Sequence, residues 1–258
     1  MSTATTTAAT TATATAATGP TEAVVWEPAA GAALRGAVLL LPGRGEHPGV
    51  YGRFGRRLAF DGYRVAALPQ APGQLAERVT EARSQLPDGA PVVLAGSDTG
   101  ALHALASAEV AAPDGLLLVG LPSTELIPQD DELTARTACP AHRGLLDTDP
   151  DYRPGALAEP VPAALAQAAG RAAPALPVLL LHGAADPVSP PATAHRHAAR
   201  LGAELVLVTD GRHDALNDAP HRSVAAAVVQ WLERLRGGPH LPAQLTTVTP
   251  ARTEGAPA

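Results

Sequence analysis

Two hydrophobic patterns alternate along this chain. Unbroken apolar runs of strand length stand at Gly36–Leu41, Tyr63–Leu68, Pro91–Gly96, Gly115–Leu121, Pro177–His182 and Glu204–Thr209. Between them lie stretches with helical spacing. These are Val50–Phe60 (apolar at Tyr51, Phe54 and Leu58), the charged Leu75–Leu86, an Ala/Leu-rich run from Ala101 to Ala106, Ala192–Leu201, and the apolar Ser223–Leu235. Unbroken runs suit strands buried on both faces, and spacings of three and four give helices with one buried stripe. Strands and helices taking turns predict an α/β domain with a mainly parallel, doubly wound sheet. Glu22–Trp26 predicts a leading strand. Residues 122–176 break the alternation with prolines and charge clusters but no strand-like run. That interval is too long for a plain connection and predicts a small inserted helical lid.

The ends have a different composition. Residues 1–20 are almost only threonine and alanine, and 237–258 are rich in Pro, Gly and Thr. Both are expected to be disordered tails around a single domain over 21–236. The first stretch lacks the basic start and apolar run of a secretory signal, and the arginines of a transit peptide.

Composition narrows the function classes. Hydrophobic residues make up 46% of the chain and aromatic ones only 3%, so the core is built from small and branched aliphatics. The net charge is -6, all 19 basic residues are arginine, and none form a basic block. A nucleic-acid partner is therefore not expected. One cysteine, Cys139, excludes an internal disulfide and fits a reducing, cytoplasmic compartment. No run is long and apolar enough to span a bilayer. No phosphate-cradling glycine motif occurs, and the His195/His197 pair sits two apart on a predicted helix, facing apart. No cofactor or metal is expected, and the expected partner is a small-molecule substrate.

The chemistry gathers at strand ends, where doubly wound sheets place their sites. In Gly96-Ser97-Asp98-Thr99-Gly100 an apolar run stops, turns and restarts as a helix. That is the setting of a G-x-S-x-G nucleophile elbow, in which small residues two before and two after the apex permit a sharp bend. Gly96 and Gly100 place Asp98 at the apex. Taking Ser97 instead would put the β-branched Thr99 in a small slot. Asp186 follows the run Pro177–His182 in Gly183-Ala184-Ala185-Asp186-Pro187-Val188, and His213 follows Glu204–Thr209 in Asp210-Gly211-Arg212-His213-Asp214. His103 and His182 are expected to be structural. Cys139, outside the elbow, is expected to line the pocket rather than act as a nucleophile.

The order nucleophile, acid, histidine, with these strand contexts, resembles the α/β-hydrolase superfamily, and most closely its monoacylglycerol-lipase or lysophospholipase-like branch. Leu41-Pro42-Gly43-Arg44-Gly45-Glu46-His47, followed by Tyr51, resembles that branch's oxyanion loop, and Gly183–Val188 its acid turn. The resemblance spans about Gly36 to Leu235. Pro42 stands where the branch has His, and Asp98 where it has Ser.

An apical Asp is shared with haloalkane dehalogenases and soluble epoxide hydrolases. The resemblance implies that Asp98 attacks carbon to give an ester, which water activated by His213 and Asp186 then hydrolyses. It implies an oxyanion hole from the backbone N–H groups of Arg44 and Thr99, and substrate contacts at Gly43 and Tyr152. The dehalogenases' tryptophan after the aspartate is Thr99 here, and Tyr152 is the one lid tyrosine where epoxide hydrolases have two. Two alternatives stay open. One is a cyclase, lyase or isomerase in which Asp98 and His213 only move protons; the other is a catalytically inactive binding protein.

Overall fold

The computed structural model describes residues 22–69 and 74–245. The expected tail over 1–20, and the last part of the expected tail at the other end, lie outside the described residues. A seven-stranded sheet runs through the domain. Its strands are β1 (Val24–Trp26), β2 (Gly36–Leu41), β3 (Tyr63–Ala67), β4 (Val92–Ser97), β5 (Gly115–Val119), β6 (Val178–Gly183) and β7 (Glu204–Val208). Their spatial order is β1-β3-β2-β4-β5-β6-β7; β1 pairs antiparallel with β3, and every other pairing is parallel.

The burial of each strand follows from its place. Every residue of β2, β4, β5 and β6 is buried, as strands covered on both faces require, whereas the edge strand β7 is mostly half-exposed. One face carries α1 (Gly52–Phe60) and α8 (His221–Arg236), with Phe54, Leu58, Val224, Val228, Trp231 and Leu235 in its core. The α8 set recurs at intervals of three, four and seven, which aligns one apolar stripe. The other face carries α2 (Leu75–Ser84), α3 (Thr99–Ala111) and α7 (Pro191–Leu201), whose Val79, Leu102, Leu105 and Ala194 join the second core. Pro191 fixes the first turn of α7, and Gly202, at φ 61°, closes its end in a left-handed cap.

Residues 122–176 hold α4 (Glu132–Arg136), α5 (Pro140–Thr148) and α6 (Ala163–Arg171). Asp131 caps α4 by accepting from the Thr134 backbone N–H at 3.1 Å. The interval divides in two. α4 and α5 gather over the carboxyl edge of the sheet, but α6 returns to the core, where Ala169 is buried among the apolar residues of α3's face. α5 reaches a core as well, through the buried Leu146 on the opposite face of the sheet. The expected tail starts too early at 237, because Leu241 packs on the α8 core and its carbonyl accepts from Arg234 Nε.

Candidate active site

Four connections leave the carboxyl ends of β2, β4, β6 and β7, and their side chains meet. The tightest is the turn from β4 into α3. Asp98 stands there at φ 50° and ψ −121°, a backbone region that side-chain-bearing residues rarely occupy. Its neighbours explain how the bend closes. A Cβ on Gly96 would lie 2.2 Å from the backbone of Gly100, and one on Gly100 would lie 2.2 Å from the Leu41 carbonyl oxygen. Two chain segments therefore pass at glycine-only distance, and the strained residue between them is Asp98. Ser97 is the last residue of β4 and is buried.

From Asp98 a relay runs across two further strand ends. His213 Nε2 lies 3.2 Å from Asp98 Oδ1, and its Nδ1 lies 2.8 Å from Asp186 Oδ2. Asp186 accepts the backbone N–H groups of Val188 and Ser189 on its other oxygen, at 2.8 and 3.0 Å, so the turn that holds it also orients it. All three side chains are buried. Burial favours the neutral form of His213, but Asp186 and Asp98 outweigh it and push the imidazole up to about 10. Burial likewise opposes charge on Asp98, yet His213 and Arg44 prevail and hold its carboxyl far below the usual carboxylate range. His182 lies beneath the acid turn, with Nε2 2.7 Å from the Ser189 carbonyl oxygen.

The loop after β2 completes the site. The Arg44 backbone N–H donates to Asp98 Oδ2 at 2.9 Å. Thr99 opens α3, so its N–H has no partner within the helix and belongs to the donors a helix start presents. The Arg44 side chain, a feature the motif did not reveal, folds inward as well. Its Nε lies 2.8 Å from Asp98 Oδ2 and its Nη2 2.9 Å from Oδ1.

Of the other expected site residues, Gly43 lies against the apex, since a Cβ on it would come 3.0 Å from Asp98 Cβ, whereas Tyr152 and Cys139 find their partners elsewhere. The Gly43 N–H donates to Glu46 Oε2 at 3.0 Å and to the Tyr51 hydroxyl at 3.3 Å. Tyr152 is buried, its hydroxyl 2.9 Å from both Arg136 Nε and Glu132 Oε1. Cys139 Sγ takes a contact of 3.2 Å from Arg53 Nη1. Burial raises that thiol's pKa, and Arg53 outweighs it, so the thiol sits below its ordinary value.

Sequence reading missed a second buried polar group behind the loop after β2. Tyr51 donates a short bond to Glu46, Arg136 Nη1 lies 3.3 Å from Glu46 Oε1, and Arg136 Nη2 donates to the Arg44 carbonyl. His142 Nε2 stands 3.1 Å from Asp214 Oδ2, both fully buried. Glu46, Tyr51 and Asp214 lie within motifs already noticed, but Arg136 and His142 come from α4 and α5. The spacing of Arg136 announces only its pairing with Glu132 four residues earlier, at 2.8 Å, and not its reach to Glu46.

This architecture is the α/β-hydrolase fold. The model of the TAP-like protein family matches residues 154–243, about a third of the chain. Comparison with curated proteins gives no match. Among solved structures, the monoglyceride lipase from Saccharomyces cerevisiae superposes with a TM-score of 0.69 at 18% identity, covering 83% of this chain and 91% of that one. The monoacylglycerol lipase of Paleococcus ferrophilus gives 0.64 at 20% identity, covering 83% and 98%. A carboxyl esterase from Bacillus coagulans gives 0.60 at 16%, covering 83% and 94%. Among the described residues no helix is long and apolar enough to cross a membrane.

Proposed function

We propose that this chain is a hydrolase acting on a small, partly apolar organic substrate through an ester on Asp98. The observation that carries the reading is the unbroken relay Asp186–His213–Asp98, at 2.8 and 3.2 Å, ending on the strained apex of the elbow. The structural likeness to lipases and an esterase supports hydrolysis as the class of reaction. An epoxide, halide or ester-like substrate suits the chemistry. Nothing in it calls for a cofactor, and the unpaired Cys139 fits a cytoplasmic enzyme.

The steps follow from the charges. Asp98 is ionised without help from a base, so an Asp98 oxygen attacks the substrate carbon and the bond to the leaving group breaks. His213, carrying two protons between two carboxylates, gives one to a leaving oxygen; a halide leaves as the anion, and the imidazole then gives that proton to solvent. The ester removes the negative charge of Asp98, so the imidazole loses an anionic partner and becomes a usable base. It takes a proton from water as that water attacks the Asp98 ester carbonyl. The backbone N–H groups of Arg44 and Thr99 hold the oxyanion, which collapses to product alcohol and Asp98 carboxylate.

Single turnover in heavy-oxygen water tests this, using a panel of esters, epoxides and haloalkanes. One solvent oxygen should enter the Asp98 peptide, and His213→Gln should halt as an adduct carrying the substrate's alkyl part. An enzyme that turns over substrate while its Asp98 stays unlabelled would mean proton-transfer chemistry instead. The Arg44 guanidinium lying on Asp98 favours a second reading, a binding protein without turnover, which an inert panel would support.

A further inference from the structure

The ester mechanism uses the Arg44 backbone and gives its side chain no task, yet that side chain is the most committed group in the site. It is 8% exposed, grips both oxygens of Asp98, and extends Nη1 to the carbonyls of Leu157 (3.4 Å) and Glu159. Oδ1 of Asp98 therefore faces Arg44 and His213, and Oδ2 faces the Arg44 backbone and Nε. Charge-assisted bonds of this kind draw electron density from a carboxylate and fill the directions from which it would attack. Asp98 becomes a nucleophile only when the guanidinium lets go.

A buried guanidinium does not let go into nothing, because an unpaired buried charge carries a large desolvation penalty. Whatever displaces Asp98 must offer a replacement anion, and the fork of Arg44 is already set to hold the two oxygens of a carboxylate, Nε on one and Nη2 on the other. A narrow crevice with Arg44 in its wall adjoins the site; at about 10 Å³ it has room for one water, and it widens as the guanidinium moves to admit a carboxylate. It is lined by the polar Ser123 and Thr124 and the apolar Leu157, Pro160, Val161 and Val188. Glu125 also lines it but is exposed, where solvent screens its charge.

We infer that the substrate carries a carboxylate close to its reacting carbon, and that this group draws the Arg44 guanidinium off Asp98 and so frees the nucleophile. This inference rests on the hydrolytic reading of Asp98. Arg44 is then a specificity residue: a neutral substrate leaves Asp98 capped, whereas an anionic one uncaps it.

Butanoate and its neutral isostere butanamide are the probes, followed by calorimetry and thermal shift on the full chain. Butanoate should bind saturably, about tenfold or more tighter than butanamide. Asp98→Asn should tighten butanoate by about tenfold or more, because it leaves Arg44 without its fixed anion. That gain is one a merely damaged protein does not produce. Arg44→Gln should erase the preference for the anion, and Arg44→Lys, which keeps the charge but not the fork, should retain part of it. Equal binding of the two probes overturns the inference, as does an Asp98→Asn protein that binds butanoate no better than wild type. Labelling of Asp98 by a neutral substrate without any butanoate binding would sink the inference and spare the hydrolytic reading. Butanoate binding as stated, with Asp98 never labelled by any substrate, would support the anion site and sink that reading.

Discussion

Two clusters of buried charge lie side by side at the carboxyl edge of the sheet, and they are built in opposite ways. The first, Arg44–Asp98–His213–Asp186, hangs on the ends of strands, and its charges alternate in sign along one line. The second, Glu46–Tyr51–Arg136 with Glu132 and Tyr152, draws three of its five members from α4 and the chain after α5. They meet where Arg136 Nη2 donates to the Arg44 carbonyl and where the Asp214 N–H donates to the Arg136 carbonyl at 2.8 Å. One cluster surrounds a strained apex and is poised to change charge; the other clamps the loop that faces it. On the proposed mechanism, reacting and positioning are separated in space, and substitutions should separate them too.

The largest expected effect is on chemistry. Asp98→Asn should lower kcat by about a thousandfold or more, with circular dichroism unchanged, because in the proposed mechanism it removes the group that bonds to carbon. A variant with near wild-type kcat would strike at the division itself. The next effect is on folding. Arg136→Met should destabilise the protein by about 3 kcal/mol or more in denaturant unfolding, since it leaves Glu46 buried without its cation. The double variant Glu46→Gln/Arg136→Met should recover part of that loss. Burial and Asp214 already raise the pKa of Glu46 against the pull of Arg136, so the single variant should recover some stability as pH falls.

A third effect is one of pH. The folded-state pKa of His213 is raised from 6.5 to about 10, so its charged form stabilises the fold fully below about pH 6.5, and that stability is lost as pH rises through about 10. Unfolding free energy should therefore drop more between pH 7 and pH 10 in wild type than in His213→Gln. In Asp98→Asn the imidazole resonances should titrate at a lower pH than in wild type, because one of the two anions is gone. Equal midpoints would place His213 outside the reacting cluster.

The two clusters also differ in how far the sequence discloses them. Strand ends are legible because a buried parallel strand leaves an unbroken apolar run, and Gly96, Gly100 and the Gly183–Val188 turn punctuate those runs. The order Asp98, Asp186, His213 follows from that alone. The Arg44 side chain was not legible: its place in the loop predicts a backbone donor, and only folding turns its guanidinium inward. Arg136 and His142 were hidden for another reason. Their helices are short, α4 spanning only Glu132–Arg136. Although Arg136 also pairs with Glu132 one turn away, the partners that tie them to the site, Glu46 and Asp214, lie some 70 to 90 residues away in the chain. Long-range charge pairing leaves no local period. Tyr152 was legible as an aromatic of the 122–176 interval but not as a support for Arg136, and α6 reads like α5 although α6 packs on α3 and α5 places Leu146 in the core on the other face.

The smallest effect gives the finest test, because Ser97 and Asp98 are neighbours in sequence that belong to different clusters. Ser97 ends β4, is buried, and its side chain interacts with Tyr51, the partner of Glu46. Asp98, one residue on, turns through the strained apex toward His213. Ser97→Ala removes a hydroxyl from the clamp and nothing from the relay. It should cost about 1 kcal/mol in denaturant unfolding, as for a typical buried hydrogen bond, and leave kcat within about twofold. The serine would be a nucleophile only if the backbone placed it at the apex, and Gly96 and Gly100 bracket Asp98 instead. Loss of turnover in a correctly folded Ser97→Ala protein would therefore move the apex by one residue and merge the two clusters into one.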